Sequence, residues 1–314
     1  MDAIKLYLIT GFLGAGKTTF LKNFLPLFAG RKIAILVNEF GKEGVDGKLL
    51  SGLAAELSEI TGGSVFCSCL SGVFEDELGK IVSKGPDVIL IESSGLSDPT
   101  GIQTLLNANP GFNGIEYSGC ICLADCARFP KVFKTAASCR KQLAAADVLV
   151  LNKLDLANEE EIAAAIELIR ANRHELPIIK TSFGRLPETA DKAAASGDIS
   201  LLLKPPAGGG LSTGLLCSDI SLRSITIELD ACLSSAQARK ILGMIGEDSY
   251  RMKGFLSLSD GQFLADCVAG SVNLTPFEND SANNHIMVLY GQGLRARKAV
   301  EEAIKWYPGR LRLV

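Results

Sequence analysis

The sequence predicts an α/β protein: a doubly wound, mostly parallel sheet flanked by helices, followed by a smaller α+β domain. Three observations predict it. Apolar runs of strand length alternate with helical patterns over the first two thirds of the chain. A glycine-rich turn stands between the first apolar run and the first helix. A break rich in proline and glycine, Ala193–Gly214, then separates this pattern from a different one.

Taken in order, Ile4–Thr10, Ile33–Asn38, Val88–Glu92, Ile115–Leu123 and Val148–Asn152 read as buried strands, and Ile178–Thr181 as a shorter one. Continuous apolar runs of this kind suit strands covered on both faces. Helical patterns lie near Lys17–Phe28, Phe74–Ser83, Gly101–Asn107, Arg128–Ala145 and Glu159–Ala171. Asn158 before three glutamates reads as an N-cap with acids in the first turn. The break contains Lys204-Pro205-Pro206 and Gly208-Gly209-Gly210. We place an α/β domain at 1–200, a linker at 201–219 and a C-terminal α+β domain at 220–314. In the last, strands are expected at Ser224–Leu229, Gly254–Leu258, Gln262–Val268 and His285–Tyr290, with helices at Ser235–Ile245 and Arg295–Trp306.

Composition bounds the function. With 314 residues, 47% hydrophobic and 21% charged, the chain can bury a sizeable core. A net charge of −3 argues against a strongly basic nucleic-acid-binding surface. No apolar run reaches the roughly 18 residues that span a bilayer, and the start lacks a signal-peptide pattern, so a cytoplasmic protein is expected. Nine cysteines here read as thiols or metal ligands, not as a disulfide framework.

Three motifs carry chemistry. Gly11-Phe12-Leu13-Gly14-Ala15-Gly16-Lys17-Thr18 fits G-x-x-x-x-G-K-[ST] between a strand and a helix. Its glycines let backbone N–H groups curl around phosphate oxygens, and the helix N-terminus adds positive potential. Lys17 is expected on the β- and γ-phosphates, the Thr18 hydroxyl on Mg²⁺, and Thr19 beside it at the helix start. Asp87–Gly95 is an apolar strand ending in an acid, Glu92, which can hold Mg²⁺ through water or orient the attacking water. Gly95 lets its N–H approach the γ-phosphate. Asn152-Lys153-Leu154-Asp155 follows the apolar strand Val148–Leu151. There a carboxylate accepts from guanine N1–H and N2–H₂, which adenine cannot offer. Thr181-Ser182 is a candidate base-proximal loop.

With these motifs placed, the chain resembles the CobW/P-loop metallochaperone GTPases, relatives of the hydrogenase and urease nickel-insertion GTPases. The resemblance rests on Gly11–Thr19, Val37-Asn38-Glu39-Phe40-Gly41, Glu59–Cys67, Glu92-Ser93-Ser94-Gly95-Leu96-Ser97-Asp98-Pro99 and Gln142–Asp155. The stretch Tyr250-Arg251-Met252-Lys253-Gly254-Phe255 extends it more loosely into the C-terminal region. It implies Mg²⁺-dependent GTP hydrolysis to GDP, coupled to delivery of a transition-metal ion, zinc or cobalt, to a client metalloprotein. Asn38–Gly41 would form a first switch and Glu92–Gly95 a second.

The family pattern Cys-x-Cys-Cys, aligned on Gly63, falls here on Ser64, Phe66 and Cys67. Only Cys67 is kept, and Cys69 adds a new Cys-x-Cys. Two thiolates at this spacing can bind one borderline ion, with Zn²⁺ favoured. The resemblance offers Glu39 as a further ligand; another glutamate often follows that segment, but Lys42 stands there and Glu43 is displaced by one. The alternative is that Cys67 and Cys69 are core thiols. Cys120, Cys122 and Cys126, with Cys139, form a second cluster that reads as core filling, with a metal or redox site as its rival. His174 and His285 read as surface or structural residues.

No arginine finger stands out in cis, so slow turnover is expected, with a client or a nucleotide-dependent second protomer completing the site. Three rivals remain: a metal buffer whose nucleotide only stabilises the fold, a small-molecule kinase, and a GTPase that matures a corrinoid or other metalloenzyme without carrying the ion.

Overall fold

The computed structural model describes residues 3–39, 56–61, 71–186, 222–268, 270–276, 284–291 and 294–314. The chain divides into two compact units, Met1–Asp219 and Ile220–Val314.

The first unit is built on seven strands: β1 (Ile4–Gly11), β2 (Ile33–Glu39), β3 (Glu56–Thr61), β4 (Val88–Glu92), β5 (Ile115–Asp125), β6 (Val148–Asn152) and β7 (Ile178–Lys180). Every pairing is parallel, in the order β3-β2-β4-β1-β5-β6-β7. The period of two sorts the side chains into two cores. Tyr7, Ile9, Ile35, Val37, Leu90 and Val150 pack on one face with Phe20, Phe24 and Phe28. Leu6, Leu8, Leu36, Ile89 and Ile91 pack on the other with Phe74, Leu78 and Ile81. Among the described residues, six α-helices connect the strands: α1 (Lys17–Phe24), α2 (Ser71–Ser83), α3 (Ile102–Ala108), α4 (Phe129–Thr135), α5 (Ala137–Ala145) and α6 (Glu159–Asn172).

Two long helical expectations are corrected. The first helix is α-helical only to Phe24 and continues as one 3₁₀ turn, Leu25–Phe28. Pro26 has no N–H to carry the α-helical ladder onward. The expected helix over Arg128–Ala145 breaks at Ala136, which is extended at φ −116° and ψ 120°. The Thr135 hydroxyl donates to the Lys131 and Val132 carbonyls at 2.9 and 3.4 Å and competes with the main-chain ladder there. The Asn158 N-cap of α6 is a reciprocal capping box with Glu161.

The second unit is an antiparallel sheet of β8 (Leu222–Leu229), β9 (Arg251–Leu258), β10 (Gly261–Val268), β11 (Ser271–Pro276), β12 (His285–Gly291) and β13 (Leu311–Leu313). Their order is β11-β10-β9-β12-β8-β13. Helices α7 (Ser235–Gly246) and α8 (Ala296–Trp306) bury Ile241, Leu242, Ile245 and Val300 with Ile227, Met252, Leu256 and Val288. The sequence expected four of these strands. Gly254 is required in β9, since a Cβ there would lie 2.0 Å from the His285 carbonyl oxygen. No helix among the described residues is long and apolar enough to cross a membrane.

Candidate nucleotide site

Strand order reverses around β1: the chain leaves it toward β2 on one side and later returns to β5 on the other. In open parallel sheets, the carboxyl ends of strands at such a point form a ligand crevice. The loop from Gly11 to Gly16 lies there. Gly11, Gly14 and Gly16 have φ of 139°, 75° and 96°. A Cβ on Gly11 would sit 2.3 Å from the Leu123 carbonyl oxygen, and one on Gly16 2.5 Å from Asn152 Nδ2. Glycine is therefore needed for both conformation and space. Gly16 is the N-cap of α1 and brings no side chain to cover the first N–H groups of the helix. The result is a concave run of backbone donors at a positive helix end, a geometry suited to phosphate.

Lys17 is buried and folds back over this loop, its Nζ donating to the Gly11 and Phe12 carbonyls at 3.0 and 3.4 Å. Thr18 Oγ1 donates to Glu92 Oε1 at 3.0 Å, so the hydroxyl from α1 and the acid at the end of β4 meet beside the loop. Two hard oxygen donors there fit a cation of the Mg²⁺ type. Beyond Glu92, Ser93 Oγ donates to Thr10 Oγ1 at 2.9 Å. Gly95 is pressed against the phosphate loop: a Cβ on it would lie 2.8 Å from the Leu13 nitrogen.

The segment after β4 is held by α5. Gln142 is almost wholly buried, and its Nε2 donates to the carbonyls of Gly95 and Ser97 at 3.1 and 3.2 Å. Lys141 pairs with Asp98 at 2.8 Å, and Asp98 accepts from the Thr100 N–H at 3.1 Å. Sequence reasoning gave neither Gln142 nor Lys141 a role. A buried amide one helix away from a glycine loop leaves no pattern in the sequence.

At the end of β6, Asn152 uses both ends of its buried amide inside the protein. Its Nδ2 donates to the Ala15 carbonyl, and its Oδ1 accepts from the Gly184 N–H, both at 2.9 Å. The residue ties the phosphate loop to the loop after β7. Lys153 adopts a left-handed conformation at φ 64°, and its Nζ pairs with Asp125 at 2.9 Å. Asp125, at the end of β5, is a third residue to which sequence reasoning assigned no role. Asp155 lies in the 3₁₀ turn Leu154–Leu156, exposed, its N–H donating to Ser182 Oγ at 3.1 Å. Its carboxylate has no partner among the described residues.

The transition-metal expectation falls largely elsewhere. Cys67 and Cys69, with Phe40 to Glu43 and Ser64 to Phe66, and the side chain of Glu39, lie outside the described residues. The second cluster packs as core. Cys120, Cys122, Cys126 and Cys139 are all buried. Burial pushes Cys122 up to about 12 and raises Cys120 and Cys139 well above the usual thiol range. Among the described residues no three or more His, Cys, Asp or Glu side chains are grouped to hold a metal. His174 is exposed after α6, and His285 lies 3.5 Å from Glu228.

Comparison with known proteins shows the family. The CobW/HypB/UreG nucleotide-binding domain matches residues 5–180, more than half of the chain. A zinc chaperone of Escherichia coli K12, YeiR, is 36% identical over 187 residues, covering 57% of this chain and 55% of that protein. Another from the same organism, YjiA, is 35% identical over 168 residues, covering 51% and 52%. The chain thus spans about half the length of the curated relatives it matches. The crystal structure of Zn(II)-bound YjiA GTPase from E. coli aligns over 98% of this chain and 99% of that one, at 21% identity and a TM-score of 0.46.

Proposed function

We propose, from the premise that the chain belongs to the CobW/HypB/UreG family, that it is a GTP-hydrolysing metallochaperone. It couples nucleotide state to the binding of a transition-metal ion and its delivery to a client protein in the cytoplasm. The observation that carries the nucleotide half is the Asn152 bracket. One buried amide joins Ala15 of the phosphate loop to Gly184 of the loop that touches Asp155 through Ser182. This link supports reading the phosphate cradle and the purine-reading carboxylate as parts of one site.

The reaction is in-line attack of water on the GTP γ-phosphate. Lys17 leaves the Gly11 and Phe12 carbonyls for the β- and γ-phosphate oxygens, and the N–H groups of residues 14–19 cradle them. When bound, Mg²⁺ held by Thr18 and Glu92 neutralises charge on the same oxygens. Glu92 also orients the attacking water, and the Gly95 N–H faces the γ-phosphate. Asp155 accepts from guanine N1–H and N2–H₂. Catalysis here is positioning and charge neutralisation, and a client or a second protomer bound in the nucleotide-loaded state supplies what is missing in cis.

The cargo is assigned to Cys67 and Cys69 with Glu39, and zinc is the favoured ion. Two named relatives are zinc chaperones, and thiolates suit a borderline ion. These residues lie in sequence between the phosphate loop and Glu92, so loss of the γ-phosphate can alter their geometry. Zinc affinity measured with a GTP analogue and with GDP tests the coupling, and equal values would defeat it. Steady-state phosphate release tests the enzyme: wild type should exceed Lys17→Ala by about a hundred-fold or more. Equal rates would leave a metal buffer.

The altered cysteine pattern favours one second reading, a GTPase that matures a metalloenzyme without carrying the ion. Metal analysis of wild type beside Cys67→Ala/Cys69→Ala separates the two.

A further inference from the structure

Beyond the motif residues, one side chain at the base end of the site is placed at an energetic cost that the fold does not explain. Phe183 stands in a left-handed conformation at φ 57°, a region that β-carbon contacts make costly for a large side chain. The residue is also 59% exposed. A glycine or asparagine would make the same turn without strain and without an apolar group in water.

The turn itself is fixed from several sides. The Phe183 carbonyl accepts from Asn23 Nδ2 of α1 at 3.0 Å. Gly184 follows at φ 64°, and a Cβ on it would lie 2.8 Å from Phe20 Cα, so the loop is pressed against α1. Ser182 on one side of Phe183 accepts from the Asp155 N–H, and Gly184 on the other donates to Asn152. Both flanking residues are therefore bonded to the motif that reads the purine. The Arg185 guanidinium lies over the Phe183 ring at 5.9 Å from its centroid, which fixes the ring from one face.

We infer that Phe183 is a stacking platform for the purine base of the bound nucleotide. This rests on the guanine-nucleotide reading of the site and deepens it. Backbone strain held by surrounding contacts at a ligand edge is the usual sign of a side chain kept in place for binding. An aromatic face stacks on any base, because every base has a π-face. The two groups thus divide the work. Asp155 selects guanine by hydrogen bonds at its edge, and Phe183 adds affinity without selecting.

Calorimetry with GDP and with xanthosine diphosphate, magnesium present, tests this on wild type, Phe183→Gly and Phe183→Tyr. Phe183→Gly should weaken GDP binding roughly ten- to one-hundred-fold. It should leave the ratio of GDP to xanthosine diphosphate affinity where it was. The melting temperature of the nucleotide-free protein should be unchanged or raised, since the strained φ is relieved. Phe183→Tyr keeps the aromatic face and should bind GDP within about two-fold of wild type. GDP affinity equal in wild type and Phe183→Gly would overturn the inference alone. So would a fall in affinity accompanied by a lower melting temperature, which marks a structural residue, or a changed nucleotide ratio. No uptake of GDP by wild type would instead overturn the guanine reading beneath it.

Discussion

Replacing Asp155 by asparagine should turn a guanine site toward xanthine. The substitution is nearly isosteric, and the backbone that positions it is untouched, because the Asp155 N–H is anchored on Ser182 Oγ at 3.1 Å. The carboxylate has no partner among the described residues, so its loss costs the fold nothing identifiable. With GDP bound, two hydrogen bonds to a charged acceptor are at stake. Each is worth about 1.5–3 kcal/mol. Asp155 is exposed, which places both at the lower end. A combined loss of about 3 kcal/mol is roughly a hundred-fold in dissociation constant. Asparagine can still accept from N1–H but without charge assistance, and its NH₂ now opposes the guanine N2–H₂, a repulsion that makes up the rest of the loss. Xanthine carries a carbonyl at that position and accepts from the same NH₂. Calorimetry should therefore show GDP weakened about a hundred-fold and xanthosine diphosphate strengthened. An unchanged GDP affinity would refute the assignment of Asp155. Equal weakening of both nucleotides would mean that the residue supports the loop without reading the base.

Three further outcomes follow from the same geometry. Asn152→Ala removes two buried hydrogen bonds and strands the Ala15 carbonyl and the Gly184 N–H, so denaturant unfolding should show a loss of about 2–4 kcal/mol; a loss below about 1 kcal/mol would mean that the bracket is dispensable. Gly11→Ala places a Cβ 2.3 Å from a backbone oxygen at φ 139°, and should destabilise by about 3 kcal/mol or more, whereas a variant as stable as wild type would contradict the close approach of β1 to Leu123. Burial pushes Cys122 up to about 12 from a usual thiol value of 9.0, so the folded state holds protons that the unfolded state releases. The contribution is full below the unfolded value and is lost as pH rises from 9.0 to about 12. Unfolding free energy should fall over that window more steeply in wild type than in Cys122→Ala, and parallel curves would refute the burial of the thiol.

Legibility of the fold followed the physics of each element. Buried parallel strands are apolar on both faces, so β1, β4 and β6 were evident as unbroken runs. β3 escaped because Glu56-Leu57-Ser58-Glu59-Ile60-Thr61 has two apolar residues three apart, neither an unbroken run nor a period of two, and among the described residues it pairs with β2 alone, at the end of the sheet. β11 and β13 escaped as short edges of the second sheet, where few apolar residues are needed. At the site, residues in short contiguous motifs were legible, since spacing alone encodes a loop wrapped on a helix end. Gln142, Asp125 and Phe183 were not. Their roles depend on contacts across 47, 28 and 160 positions of chain, which only the folded sheet brings together.

Those long-range contacts suggest how one chain can grip a base firmly yet respond to a phosphate. The base end is fastened by buried main-chain partners: Asn152 to Ala15 and Gly184, with Gly184 wedged on α1. Such bonds are costly to break, because each exposes an orphaned group in a dry interior. The segment after β4 is fastened differently. Its carbonyls at Gly95 and Ser97 share a single donor nitrogen on Gln142, and Asp98 is held by the half-exposed Lys141. Gln142 is as deeply buried as Asn152, so the Lys141–Asp98 ion pair, screened by water, is the weaker of the two holds on this segment. On the proposed function, a γ-phosphate that attracts the Gly95 N–H would first release this ion pair, while the Asn152 bonds hold the base loop.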